Sequence, residues 1–266
     1  MGRLSMINVV GAWWRGCLPG LAGGCCHDAD MGVRWAFSDR HGGLSTPPYR
    51  SLNVARHVGD DPRVVAANRD LLAASLTANG SDGAPRLLFM DQVHGDRVAV
   101  VDASSGSPTA TDAMVSATAG LGLVVMVADC VPVLLADEEA GVIAAVHAGR
   151  PGLRQRIVIR TLETMAGLGA ARSKTVAWLG PSVCPACYEV PEQMRADVAA
   201  VVPASWSTSR TGTPALDLRG GLTAELEGAG VIVTSVGPCT AESADHYSYR
   251  RDGVTGRFAG VVWIEA

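Results

Sequence analysis

Lysine is almost missing from this chain of 266 residues: 21 of its 22 basic residues are arginine, and Lys174 is the exception. With a formal net charge of -4, this pattern reads as base-composition bias, and it speaks against a nucleic-acid partner. Long apolar runs are missing too. Crossing a bilayer takes roughly 18 to 20 apolar residues, whereas the best stretches, LGLVVMVA, GVIAAV and VIVTSV, are strand-sized. No membrane partner is expected. Residues 1–33 do not combine the basic start, continuous apolar segment and small-residue cleavage site of a clean signal peptide, so they do not read as one. They are expected to be a poorly ordered extension, with Met31 a candidate natural start. The seven cysteines are odd in number and form no secreted disulfide framework, which makes a reduced, cytoplasmic setting the expectation.

What is present is a chain that is 48% hydrophobic, enough to build a sizeable core. No linker, charge block or repeat interrupts residues 34–266, so a single catalytic-size domain is expected. Strand-like segments fall at 33–38, 86–90, 97–101, 122–128, 131–136, 141–147, 175–179, 231–236 and 261–264. Their apolar faces are too continuous for a sheet wet on one side, so helices or a second sheet must cover them. Asp61 before Pro62 announces a helix with Val64, Val65, Leu71, Leu72 and Leu76 as its buried stripe and Gly80 as its stop. Further helices are expected at 153–167, 191–201 and 217–228, giving an α/β class.

Three apolar runs end in chemically useful side chains: RLLFMDQVHGD in His94, LVVMVADC in Cys130 and GVIAAVHAG in His147. Strand ends are where α/β folds place ligands, because the sheet fixes the backbone while the end stays open. Two imidazoles and a thiolate suit zinc with an open fourth position. The separations of 36 and 17 residues match no local metal motif. Each residue could instead be a core or loop side chain satisfied by neighbouring backbone. Ala148 and Gly149 favour the site, since small residues clear space beside it.

The segments FSDRHGGLSTPPYRSLNVARHVGDDPRVVAANR, DQVHGDRV, ADCVPVLLAD, AAVHAG, GPSVCPACYEV, ALDL and CT with YSYRRDGVTGR resemble, in that order, the YfiH family, also called laccase-domain or polyphenol oxidase proteins. The resemblance runs from about residue 34 to the C-terminus. It implies a four-layer α-β-β-α sandwich similar to YfiH and to cytotoxic-necrotising-factor-type deamidases. It also implies zinc, with copper as the other ion, on His94, Cys130 and His147. The activity it implies is phosphorolysis of purine nucleosides (adenosine, inosine and S-methyl-5'-thioadenosine) together with adenosine deamination.

For such chemistry Asp129, with Glu189 behind it, is the candidate proton shuttle; the other reading of Asp129 is a cap on a backbone amide. Arg40 and Arg250, with Arg251 beside the latter, are candidate phosphate forks, and Asn53 is a candidate sugar or phosphate contact, against surface-charge and turn roles. The chain departs from the family where HAG continues as Arg150-Pro151-Gly152 in place of Trp-Arg-Gly, which predicts altered substrate preference or activity. Cys184 and Cys187, in CPAC, have no second C-x-x-C or H-x-x-x-H partner, and with Cys239 they are read as packing ahead of a second metal.

Three other functions compete. A copper polyphenol oxidase could use Met90 or Met126 as an axial ligand, but the six histidines include no His-x-His pair of the kind a trinuclear cluster uses. A metal-free cysteine hydrolase would use Cys130 as nucleophile and a histidine as base. A non-catalytic partner in cell division or wall assembly would leave the pocket vestigial.

Overall fold

The computed structural model describes residues 14–17, 32–76 and 84–266. In chain order the elements are β1 (Trp14–Cys17), β2 (Val33–Phe37), α1 (Pro62–Leu76), β3 (Arg86–Phe89), β4 (Val98–Val100), β5 (Ala113–Ser116), β6 (Leu121–Val127), β7 (Val131–Asp137) and β8 (Val142–Ala148). They continue as α2 (Arg150–Arg154), α3 (Ile157–Gly167), β9 (Val176–Leu179), α4 (Glu192–Ala199), β10 (Trp206–Thr208), β11 (Pro214–Leu216), α5 (Leu218–Gly228), β12 (Ile232–Ser235), α6 (Tyr249–Asp252) and β13 (Phe258–Ile264).

Two large sheets form, in the orders β1-β2-β13-β6-β3 and β12-β9-β7-β8-β5-β4. The central strands are buried along their whole length, and their side chains alternate between two cores. Leu121, Leu123, Val125 and Val127 of β6 meet Leu134 and Ala136 of β7 and Ile143 and Ala145 of β8 between the sheets. Val124 and Met126 point the other way, with Val261 and Trp263 of β13, onto Leu72 and Leu76 of α1. On the far side Val131, Val133 and Leu135 of β7 pack under Ile157 and Leu162 of α3 and Leu222 and Leu226 of α5. The layers therefore run α-β-β-α, as expected.

Several details differ from the sequence reading. Within the expected 1–33 extension, Trp14–Cys17 pairs antiparallel with β2. The buried stripe of α1 is Val65, Asn68, Leu72 and Leu76; Leu71 is exposed and Val64 only half-buried. Asn68 is buried because it is fully bonded, to Leu44 N, Ser45 Oγ and the carbonyls of Ser51 and Asn53. Asp61 does cap α1, its Oδ1 accepting from Arg63 N at 2.8 Å, while Gly80 lies outside the described residues. The helix expected at 153–167 is split into α2 and α3 at Arg156, which has a left-handed φ of 57°. Strands β5, β10 and β11 were not foreseen.

Candidate metal centre

β6 belongs to one sheet and β7 to the other, so the turn joining them crosses the sandwich at one end. Cys130 sits in that turn, His147 near the end of the adjacent β8, and His94 in the loop after β3. Their ligand atoms all lie within 4.8 Å of one another. Cys130 Sγ is 3.7 Å from His94 Nε2, and the two imidazole centroids are 4.6 Å apart. Gly149 is needed at the third side of this cluster: a Cβ there would come within 2.9 Å of Cys130 Sγ and 3.1 Å of His94 Cδ2. Two imidazoles and one thiol converging from three separate segments fit a zinc-type donor set.

A residue that the sequence reading missed holds this arrangement. Asp112, fully buried immediately before β5, accepts from the amides of Val93, His94 and Gly95 at 3.2, 2.9 and 2.7 Å. It also takes His147 Nδ1 at 2.8 Å. One carboxylate thereby shapes the His94 loop and orients His147 with its Nε2 facing the cluster. His94 itself has a φ of 60°, an uncommon backbone for a side-chain-bearing residue. An isolated Asp before a short apolar strand carries no sequence signal for this role.

Burial works against a Cys130 thiolate, but the His147 imidazolium and hydrogen bonds from both histidines outweigh it and hold the thiol down to about 6. Burial likewise works against a charged His147, and the Cys130 thiolate with the Asp112 carboxylate lifts it to about 9. The metal-free protein thus carries a thiolate and an imidazolium at neutral pH. Its near-ultraviolet thiolate absorbance is expected to disappear as pH falls through about 6 and to be missing in Cys130→Ala; a midpoint in the ordinary thiol range would refute the pairing.

The cluster opens into a cavity of about 500 Å³ walled by His57, Gln92, Tyr188, Tyr249 and the guanidinium-bearing residues Arg150, Arg250 and Arg257. Gln92 is fixed by both ends of its amide to the backbone of Met126. Arg250 lies over the Tyr188 ring, 5.1 Å from its centroid, and donates to Glu189 O at 3.0 Å. His57 is exposed on the cavity wall, and partial desolvation followed by the charge of Arg257 holds its pKa below the usual imidazole range. Of these wall residues only Arg250 and the departing pair Arg150 and Pro151 were singled out from sequence. His57, Tyr188, Tyr249 and Arg257 lie in the segments ARHVGDD, CYEV and YSYRRDGVTGR, where no local pattern marks them as cavity residues.

Other expected site residues serve the scaffold instead. Arg40 does not line the cavity: its Nε donates to Arg50 O at 2.8 Å and its guanidinium lies 4.6 Å from the Tyr247 ring centroid. Asn53 is buried, bonded to Ala55 and Asp60, and receives Arg257 N at 2.9 Å, so no polar atom of its amide is left for a ligand. Asp129 does border the cavity, but Thr240 Oγ1 and Arg250 N each donate to one of its carboxylate oxygens at 2.6 Å. Both carboxylate oxygens thus accept hydrogen bonds from the protein itself. Glu189 Oε1 accepts from the hydroxyls of Ser209, Thr211 and Thr213, away from the cavity. Of the proposed axial ligands, Met90 is buried between the sheets and Met126 Sδ receives Arg69 Nη2 at 3.7 Å.

Comparison with known proteins agrees with this architecture. A protein from Streptomyces coelicolor named purine nucleoside phosphorylase is 54% identical over 90% of this chain and 98% of its own length. One of the same name from Deinococcus radiodurans is 46% identical over 88% of this chain and 90% of its own. The crystal structure of the Bacillus licheniformis protein YfiH superposes with a TM-score of 0.80 at 26% identity, covering 88% of this chain and 93% of the other. The Neisseria meningitidis protein NMB0706, of family DUF152, gives 0.77 at 29%, covering 88% and 95%. The family model described as multi-copper polyphenol oxidoreductase laccase matches residues 34–265, and the chain belongs to that family, the YfiH proteins.

Proposed function

We propose that the protein is a metal-dependent purine nucleoside phosphorylase whose reaction takes place in the cavity between the His94, Cys130 and His147 cluster and the three arginines. The observation that carries this reading is the pairing, in one cavity, of a metal-competent donor set with Arg150, Arg250 and Arg257. The names of the relatives point to the same substrates. In phosphorolysis a phosphate oxygen bonds to the anomeric carbon, the carbon–nitrogen bond to the purine breaks, and the departing base takes the electron pair and a proton. The arginine forks suit the phosphate dianion, and Tyr188 and Tyr249 offer flat walls for the base. His57, held neutral, can present a ring N–H to the leaving nitrogen. His94, Cys130 and His147 would hold zinc, which supplies Lewis-acid charge stabilisation when bound.

Deamination of adenosine, the companion activity, requires a proton carrier beside the ion. With Asp129 and Glu189 bonded elsewhere, His57 is the imidazole outside the metal cluster that can fill that role. Arg150 lines the same cavity, consistent with its reaching the anion in place of the family's usual arginine one position later.

Phosphate-dependent release of base from adenosine, inosine and methylthioadenosine tests the reading. Arg250→Ala and Arg150→Ala are each expected to raise the KM for phosphate about 10-fold or more, the worth of a charge-assisted hydrogen bond, without changing metal content. Unchanged phosphate dependence in both variants would remove the arginines from the reaction.

A further inference from the structure

A second cluster lies outside the cavity. Cys184, Cys187, Cys239 and Glu242 bring their sulfur and carboxylate oxygen atoms within 4.8 Å of one another. CPAC was read as packing because the chain has no second C-x-x-C. The partner that folding supplies is Cys239-x-x-Glu242, a pair with the same spacing but one thiol and one carboxylate.

Each pair is set on a tight turn closed by its own backbone: Cys187 N donates to Cys184 O at 3.0 Å, and Glu242 N to Cys239 O at 3.2 Å. The two turns are fastened face to face by a parallel bridge between Ser182 and Cys239, with Thr240 N donating to Ser182 O at 3.1 Å. Cys184 N also donates to Cys239 Sγ at 3.2 Å. All three cysteines are half-buried and unbridged, and Glu242 is exposed and ion-paired with Arg210. Paired ligands three residues apart on opposed turns are how thiolate zinc sites are built, and three sulfurs with one oxygen complete four-coordination.

We propose that Cys184, Cys187, Cys239 and Glu242 form a second, structural zinc site. The three thiols lose their protons to solvent as the ion binds, and Glu242 contributes one oxygen while the other stays with Arg210. The site would tie together the two chain segments that wall the reaction cavity. One runs from Cys187 directly into Tyr188 and Glu189, whose carbonyl receives Arg250. The other carries Thr240, whose hydroxyl holds Asp129 beside Cys130 and whose carbonyl receives Arg251 Nη1 at 3.0 Å.

The test uses the full chain carrying Cys130→Ala, so that the first centre and the proposed reaction do not enter the readout. This protein, isolated under reducing conditions, is expected to retain about one equivalent of zinc. Replacement by cobalt(II) is expected to give the intense sulfur-to-metal absorption of a multi-thiolate tetrahedral site. Adding Cys187→Ser or Cys239→Ser should abolish both. In case these double variants fold poorly, thiol labelling of the Cys130→Ala protein gives an independent reading: slow labelling that becomes rapid on strong chelation supports the site. Absence of metal and of a cobalt–thiolate band, thiols that label equally fast with and without chelator, or a mass lowered by a disulfide would overturn it.

Discussion

Cys130→Ala is expected to lose about one equivalent of zinc and to lower phosphate-dependent base release by at least about 100-fold, more than the loss of an outer hydrogen-bond partner of a metal ligand would cost. The reason is geometric. Among the described residues Cys130 supplies the sulfur of the His94 and His147 cluster, it sits at the crossing from one sheet to the other, and Gly149 leaves no side chain that could replace it. The same variant separates metal chemistry from a cysteine hydrolase, the reading that the low thiol pKa and adjacent imidazolium would otherwise serve equally well. Activity that survives strong chelation, together with an acyl adduct on Cys130, would favour the hydrolase. Activity lost on chelation and restored by zinc favours the metal.

The second large effect is expected at Asp112, which touches no substrate. Asp112→Asn keeps the volume but turns one acceptor oxygen into a donor among three amides and His147 Nδ1. Zinc affinity should fall about 10- to 100-fold, the usual consequence of losing the partner that orients a metal-bound histidine. Stability should fall by about 3 kcal/mol, because buried donors are left without their charged acceptor. Competition against a buffered metal indicator and urea denaturation give the two quantities. An Asp112→Asn protein with undiminished zinc affinity would show that His147 is oriented by packing alone.

The elements were legible where a local pattern determined them. Asp61-Pro62 marked the start of α1, and the continuous apolar runs of β6, β7 and β8 marked strands covered on both faces. The stripe of α1 includes Asn68, a polar residue absent from the apolar pattern, because four hydrogen bonds to the 44–53 loop bury it. The three metal-centre candidates, chosen for residue type at strand ends, do converge.

Some residues have chemistry that permits two roles. An arginine beside glycines can hold phosphate, and Arg40 is bonded to its own loop; an aspartate beside a metal ligand can shuttle protons, and Asp129 accepts from the amide of Arg250. For Asp129 a contact that bears on its role, Thr240, lies more than a hundred residues away along the chain. The mixed Cys/Glu pairing behind CPAC was invisible for a similar reason: its second half is recognisable only once the 182–187 and 239–242 turns are bridged.

Product analysis with inosine and inorganic phosphate, on protein stripped of metal and then reloaded with zinc, bears most directly on the central assignment. Stoichiometric ribose 1-phosphate and hypoxanthine, formed by the reloaded parent and absent from the stripped protein and from Cys130→Ala, is the predicted result. Equal turnover by the stripped protein and by Cys130→Ala would contradict it.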